Sequence, residues 1–322
     1  MKNLKKIGLS ALAGSLVAVS ASAGEMSVAG SAKMEVSHKN GGAASAGKSF
    51  AMGNQLTFSG SGELDNGMNV SLSFVLDQGD DETDTSTQSG NSPFDSHSVT
   101  VSADGLGSLK FAGEGGDSAV AAMDDSVAGE MWDDYQASAD EPISGKSSND
   151  MLIYTLPTIL ENVDLAASYT PNGDGGAGSS TSYSVEYSGI EGLSVAYGFG
   201  EDNSANATAD ATAWSISYAY GPFSIAAADL EYDHETATSS RDMTSYYVSY
   251  TVSDEISIGY GTEEITDGSA SSEVAEFSGY DASYTAGGMT LSVAMSKGDN
   301  VDYSTTATKD QERWFLGASF AF

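Results

Sequence analysis

Beyond residue 23, polar and apolar residues alternate with period two along almost the whole chain, the pattern of strands with two unlike faces. In the first such segment Met26, Val28, Ala32, Met34 and Val36 share one face, and Ser27, Ser31, Lys33, Glu35 and Ser37 share the other. Phe50, Met52, Leu56 and Phe58 repeat the pattern, as do Leu193, Val195, Tyr197 and Phe199, then Trp214, Ile216, Tyr218 and Tyr220. The last run carries Trp314, Leu316, Ala318, Phe320 and Phe322. The alternation predicts sixteen strands, at 26–38, 50–64, 68–77, 97–103, 108–113, 150–156, 163–170, 181–188, 193–200, 212–220, 223–232, 242–252, 256–262, 273–285, 289–297 and 311–322.

The connections alternate between short and long. Tight turns are expected at Asp65-Asn66-Gly67, Asp104-Gly105-Leu106-Gly107, Gly189-Ile190-Glu191-Gly192, Gly221-Pro222, Ser253-Asp254 and Ala286-Gly287-Gly288, where Gly, Asn and Asp suit the unusual dihedrals of such turns. Longer polar stretches at 77–96, 200–211, 263–272 and 298–310 lie between them, and the longest connection is 114–149. Any one alternating strand would fit a soluble sandwich or an adhesin. An even series of sixteen, with all turns at one end, fits an all-β, transmembrane antiparallel β-barrel. Lipid offers no water to backbone groups, so a sheet there must close on itself, apolar face outward. Tyr169, Tyr183, Tyr187, Tyr220, Tyr260, Tyr280 and Tyr284 fall near strand ends, where interfacial aromatic girdles belong.

The amino terminus carries an export signal. Lys2, Lys5 and Lys6 precede an apolar run from Ile7 to Val19, and Ala21-Ser22-Ala23 is an A-x-A site with cleavage expected before Gly24. That divides the chain into a signal peptide, 1–23, and a barrel, 24–322. The formal charge is −34, and loss of the signal's three lysines, with no acid among them, leaves −37. Such a surface cannot replace counterions on nucleic acid, and no basic cluster suits anionic lipid. With no Cys, disulfides, thiolate sites and Cys nucleophiles are excluded, and 3 His argue against most metalloenzyme arrangements. No Ser/His/Asp arrangement follows from the spacing, and Gly113-x-Gly115-Gly116 opens no strand–loop–helix phosphate unit.

Four features resemble the general porins of Gram-negative bacteria, of an alphaproteobacterial type. They are the sixteen strands; the terminal run Arg313 to Phe322, ending in Phe; the hairpin Ser98-Val99-Thr100-Val101 with Ser108-Leu109-Lys110-Phe111; and Asn149-Asp150-Met151-Leu152-Ile153-Tyr154-Thr155-Leu156-Pro157. The resemblance implies a homotrimer in outer-membrane lipid, with Phe322 as the assembly signal. It also implies that the long loop, about 114–149, folds into the lumen as a constriction. Gly30, Asn54, Gly60 and Gly62, outward on the first two strands, are the expected trimer contact. The chain departs from the family in its bases: general porins set an arginine cluster opposite the loop, and here only Arg241 and Arg313 exist.

Selectivity depends on what lines the narrowest part. Asp124, Asp125, Glu130, Asp133 and Asp134 form the expected acidic side, with Met131, Trp132 and Tyr135 packing the loop on the wall. Strand parity turns Lys33, Lys110 and Arg313 inward as a sparse basic wall, along with Glu35, Glu63, Asp164, Glu186 and Asp281. The expected function is passive diffusion of ions and small hydrophilic solutes, cations preferred, without enzymatic chemistry or a cofactor. A solute-specific channel and a plugged structural or adhesive barrel are the alternatives. The loop acids Asp77, Asp80, Asp81, Glu82 and Asp84 could hold Ca²⁺, although a solvated acidic loop is the simpler reading.

Overall fold

A computed structural model describes residues 19–21, 24–41, 46–77, 94–123, 126–135, 147–171, 178–203, 208–269, 273–305 and 310–322. Sixteen strands form the wall: β1 (Gly24–Gly41), β2 (Gly47–Glu63), β3 (Asn69–Asp77), β4 (Phe94–Ala103), β5 (Gly107–Glu114), β6 (Met151–Thr155), β7 (Val163–Thr170), β8 (Ser180–Tyr187), β9 (Leu193–Asp202), β10 (Ala209–Tyr220), β11 (Phe223–His234), β12 (Arg241–Ser253), β13 (Ile256–Asp267), β14 (Ala275–Ala286), β15 (Met289–Asp299) and β16 (Gln311–Ala321). Each pairs antiparallel with its neighbours in sequence. β16 returns to β1 in an eleven-residue ladder from Gln311↔Gly41 to Ala321↔Ser31, which closes the barrel. A short strand, Val19–Ala21, pairs with Gly24–Met26.

The expected turns stand at one end. Gly67 and Gly288 take φ of 82° and 83° there, a left-handed conformation that glycine adopts without a Cβ clash. The last residue is bound at this end too. Phe322 N–H donates to Gly30 O at 3.0 Å, and Gly30 N–H donates to Phe322 O at 2.7 Å. The Phe322 ring lies where a Gly30 Cβ would stand. Gly30 is therefore covered from within the chain, unlike Gly62, which has nothing within 4 Å of an added Cβ.

Side chains sort by parity, as the alternation requires. Met26, Phe50, Leu72, Tyr183, Ile225, Tyr246 and Leu316 project outward and are exposed. Their neighbours Glu35, Ser182, Ser224, Ser245 and Arg313 point inward and are buried. Several strands run past their expected ends, β10 from 209 and β13 to 267. The apolar alternation stops there, but the ladder does not: outward positions turn acidic at Asp210, Glu231, Asp233, Asp242 and Glu264, where the wall leaves the apolar belt. The stretches 209–211 and 263–267, expected in loops, are thus strand.

Parity gives a direct test. Val293, outward and exposed, lies within the apolar belt beside Ala282 and Leu316. Val293→Arg is expected to lower unfolding free energy in liposomes by about 2–4 kcal/mol, and Ser292→Arg, facing water, by far less. Denaturant titration of both variants measures the difference.

Candidate functional site

The constriction loop leaves β5 with Gly116–Asp117 paired to Ser147–Ser148, then lies along the inner wall. Its contacts march round the barrel in strand order. Ala119 N–H donates to Ser168 Oγ on β7 at 3.0 Å, and Val120 N–H to Ser182 Oγ on β8 at 3.3 Å. Met123 sits over Gly198 on β9, where an added Cβ would meet its Sδ at 2.5 Å. Val127 N–H donates to Ser245 Oγ on β12 at 3.0 Å. Ala128 packs over Gly261 on β13 and Met131 over Gly279 on β14. Tyr135 O–H donates to Ser296 Oγ on β15 at 2.9 Å. The backbone N–H groups would otherwise be unpaired, and wall serines satisfy them.

Glu263 is the central anchor. Its side chain is fully buried on β13 and accepts from the Ser126 hydroxyl, from Met131 N–H at 3.0 Å and from Trp132 N–H at 3.1 Å. The alternation alone puts Glu263 at the start of the polar connection 263–272. The signal was available: in β13 Ile256, Ile258, Tyr260 and Thr262 face outward, so the same parity carried on turns Glu263 inward. Beside this anchor Val120, Met123, Met131 and Tyr135 join Leu230, Tyr232, Met243, Ile265 and Phe277 in one buried apolar cluster. The inner face of β10 to β14 is therefore apolar at loop height, whereas a uniformly polar inner face was expected. Burial pushes the Tyr135 phenol well above its ordinary pKa, so it stays a donor.

A second loop was also missed. Val301 and Tyr303, in the connection from β15 to β16, are buried in the same cluster, and the Arg241 guanidinium lies 5.3 Å from the Tyr303 ring centroid. Two apolar side chains in an otherwise polar stretch were the only clue.

The sequence-derived residues are placed as follows. Asp124 and Asp125 lie outside the described residues, as do Asp80, Asp81, Glu82 and Asp84; Asp77 ends β3. Met131 and Tyr135 are buried and Trp132 partly so, against the wall. Glu130 is half-buried with φ 59°, and Asp133 is exposed. Asp134 meets the wall directly, in an ion pair with Arg313. Arg313 is buried on β16 and also reaches Glu35 Oε1 on β1 at 2.8 Å, while Lys33 Nζ lies 3.3 Å from Glu35 Oε2. Asp134 and Arg313, expected on opposite sides of a gap, thus touch in a cluster of two bases and two acids. Lys110 stands apart on β5, between Thr100 and Ile153.

A closed sixteen-strand barrel with an apolar exterior, narrowed by a docked internal loop, defines the class of outer-membrane channel proteins. Residues 8–278 match the family model described as Gram-negative porin, and the chain belongs to that family. The family and the barrel together make it an outer-membrane channel for passive diffusion. Solved barrels share the fold at low identity. OmpF of Salmonella typhi, in complex with daunomycin, superposes with TM-score 0.69 at 12% identity, covering 95% of this chain and 100% of that one. An anion-selective porin from Comamonas acidovorans gives 0.66 at 15%, covering 93% and 100%. A mutant of the Rh. blastica porin gives 0.65 at 15%, covering 92% and 100%. A comparison with curated protein sequences gave no match.

Glu263→Leu strips three donors of their acceptor, each costing about 1–3 kcal/mol when left unpaired and buried. The barrel should still fold, judged by heat-modifiable gel mobility. Open-channel current noise should rise, and limited proteolysis should cut within 118–135. Glu263→Gln, which keeps an acceptor, should sit between this variant and the parent.

Proposed function

We propose that the chain is exported with cleavage before Gly24 and assembles as a homotrimer of water-filled channels. Ions and small hydrophilic solutes pass down their gradients, cations ahead of anions. The observation that carries this reading is the route of the loop: its described residues lie along the wall from β7 to β16, while the inward serines of β2 and β3 keep part of their surface open. A barrel of this strand number is wide enough to keep water beside such a loop.

The charge balance supports cation preference. Arg313 and Lys33 are compensated by Glu35 and Asp134. Of the expected basic wall, Lys110 is outside this cluster among the described residues, and Glu130 and Asp133 add acid on the loop. Glu63, Asp164 and Glu186 share the inward parity. A field of this sign raises the local cation concentration. The trimer contact expected on β1 and β2 has one change: Gly30 offers no notch, because Phe322 fills it.

Planar-bilayer recording of the refolded protein under a KCl gradient tests the reading. The expected result is stepwise conductance with a reversal potential of K⁺ preference. Glu130→Gln with Asp133→Asn should reduce the permeability ratio by on the order of twofold, and Lys110→Glu should raise it. Anion preference would keep the channel and overturn the charge assignment. A folded, inserted protein with no conductance would favour the plugged barrel.

A further inference from the structure

We propose that a recess in the lumen wall on β1 to β4 is a binding site for neutral polyhydroxylated solutes, sugars and polyols of hexose size; the proposal rests on the channel reading and deepens it. The recess has a volume of about 250 Å³, and seven of its ten lining residues carry hydroxyl groups. Strand register arranges these in two rows. Ser27, Ser59, Ser73 and Ser98 are cross-strand partners in the first. Ser61, Ser71 and Thr100 form the second, with Lys110 next in register beyond the rim. All have the inward parity, opposite to Phe50, Leu72 and Val99, which are exposed outside.

These hydroxyls contrast with the rest of the wall. Inward serines at 168, 182, 245 and 296 each hydrogen-bond the constriction loop or its tyrosine. The seven in the recess have no side-chain hydrogen-bond partner among the described residues. The described part of the loop does not hydrogen-bond them, so they present both donors and acceptors to whatever occupies the lumen.

The chemistry that fits is specific. None of the ten lining residues is charged, so the recess has no ion of its own to attract. Rows of hydroxyls about 4.8 Å apart across neighbouring strands offer a series of donors and acceptors to the successive hydroxyls of a hexose or a hexitol. Each such bond replaces one to water and adds little, so affinity is weak. Weak binding suits a channel, because a solute must enter and also leave. The recess lies towards the turn end, near the Leu64–Met68 and Ala103–Leu106 turns, so a solute meets it on one side of the constriction.

The experiment measures K⁺ current through the refolded protein while sorbitol is titrated, with polyethylene glycol of matched hydrodynamic size as the control. Saturable reduction by sorbitol at millimolar half-effect, absent with the polymer, is expected. In Ser59→Ala, Ser71→Ala, Ser73→Ala, Ser98→Ala combined, the half-effect should rise about tenfold while KCl conductance stays near the parent value. A milder variant, Ser73→Ala with Ser98→Ala, should move it in the same direction if the fourfold variant refolds poorly. Equal response to sorbitol and polymer, or variants indistinguishable from the parent, overturns the site. Saturation-transfer NMR of sorbitol on the refolded protein reads binding without conduction. Binding lost in the variants supports the recess even if no current flows, an outcome that sinks the channel reading alone; no binding in a conducting channel overturns the recess alone.

Discussion

The structure depends on the seam where β16 meets β1. A sheet in lipid has no solvent for an open edge, so the eleven-residue ladder from Gln311 to Ala321 is the condition for every other strand to remain in the membrane. The chain reinforces it at both levels. At the turn end, Phe322 exchanges two backbone hydrogen bonds with Gly30 and lays its ring over that glycine. At loop height, Arg313 of β16 binds Glu35 of β1 across the seam and Asp134 of the loop. Two charges taken out of water are not in themselves a gain, and a well-packed apolar replacement of the cluster would be tolerated. Loss of one partner is different: removing Arg313 takes the buried guanidinium from both Glu35 and Asp134 and leaves Lys33 as the cluster's remaining base, a cost of about 3–5 kcal/mol. The cluster makes loop placement conditional on barrel closure, since Asp134 has its partner only after β16 has docked.

Adhesion and position of the loop are separate contributions. Val120, Met123, Met131 and Tyr135 are buried against the wall, and each apolar side chain taken from water contributes roughly 1.5–3 kcal/mol. The serine-to-backbone bonds contribute about 1 kcal/mol apiece, so burial holds the loop down. Burial is non-directional, however, and would accept neighbouring registers. Ser168, Ser182, Ser245 and Glu263 remove that freedom by pairing particular N–H groups, and Gly198, Gly261 and Gly279 give the close approach that a Cβ would block.

The barrel was legible because a two-residue period with unlike faces leaves few solutions once sixteen strands alternate turn and loop. Strand ends were less legible wherever the outward face became acidic, because the apolar signal there stops before the ladder does, as at Asp210 and Glu264. The site was legible in part. Met131 and Tyr135 were read correctly as wall contacts, from apolar residues embedded among acids. Glu263 was missed because its strand was ended too early, and the apolar wall because Leu230, Met243, Ile265 and Phe277 sit on the parity assigned to water. Those four residues interrupt the inner polar face over neighbouring strands, a pattern that marks the footprint of something packed inside. The contact of Asp134 with Arg313 joins residues remote in sequence, and no local pattern encodes it.

Net charge was a poor guide to the lumen. Of the −34 of the whole chain, a visible share stands on the outer face beyond the apolar belt. On β11, Asp229, Glu231 and Asp233 share the parity of Ile225, which is exposed, and Asp210, Asp242 and Glu264 stand on the same face of β10, β12 and β13. Those charges are separated from the lumen by the sheet, and water with salt screens them over about 8–10 Å. Among the described residues, what an ion meets inside includes a compensated cluster at the seam, carboxylates on the loop and wall, Lys110 on β5, and a tract of uncharged hydroxyls on β1 to β4. Selectivity therefore depends on a handful of positions whose side chains reach the lumen; one solved barrel of this fold, from Comamonas acidovorans, is an anion-selective porin. The fold supplies the aqueous path, and the identity of the few inward charges decides which ion uses it most readily.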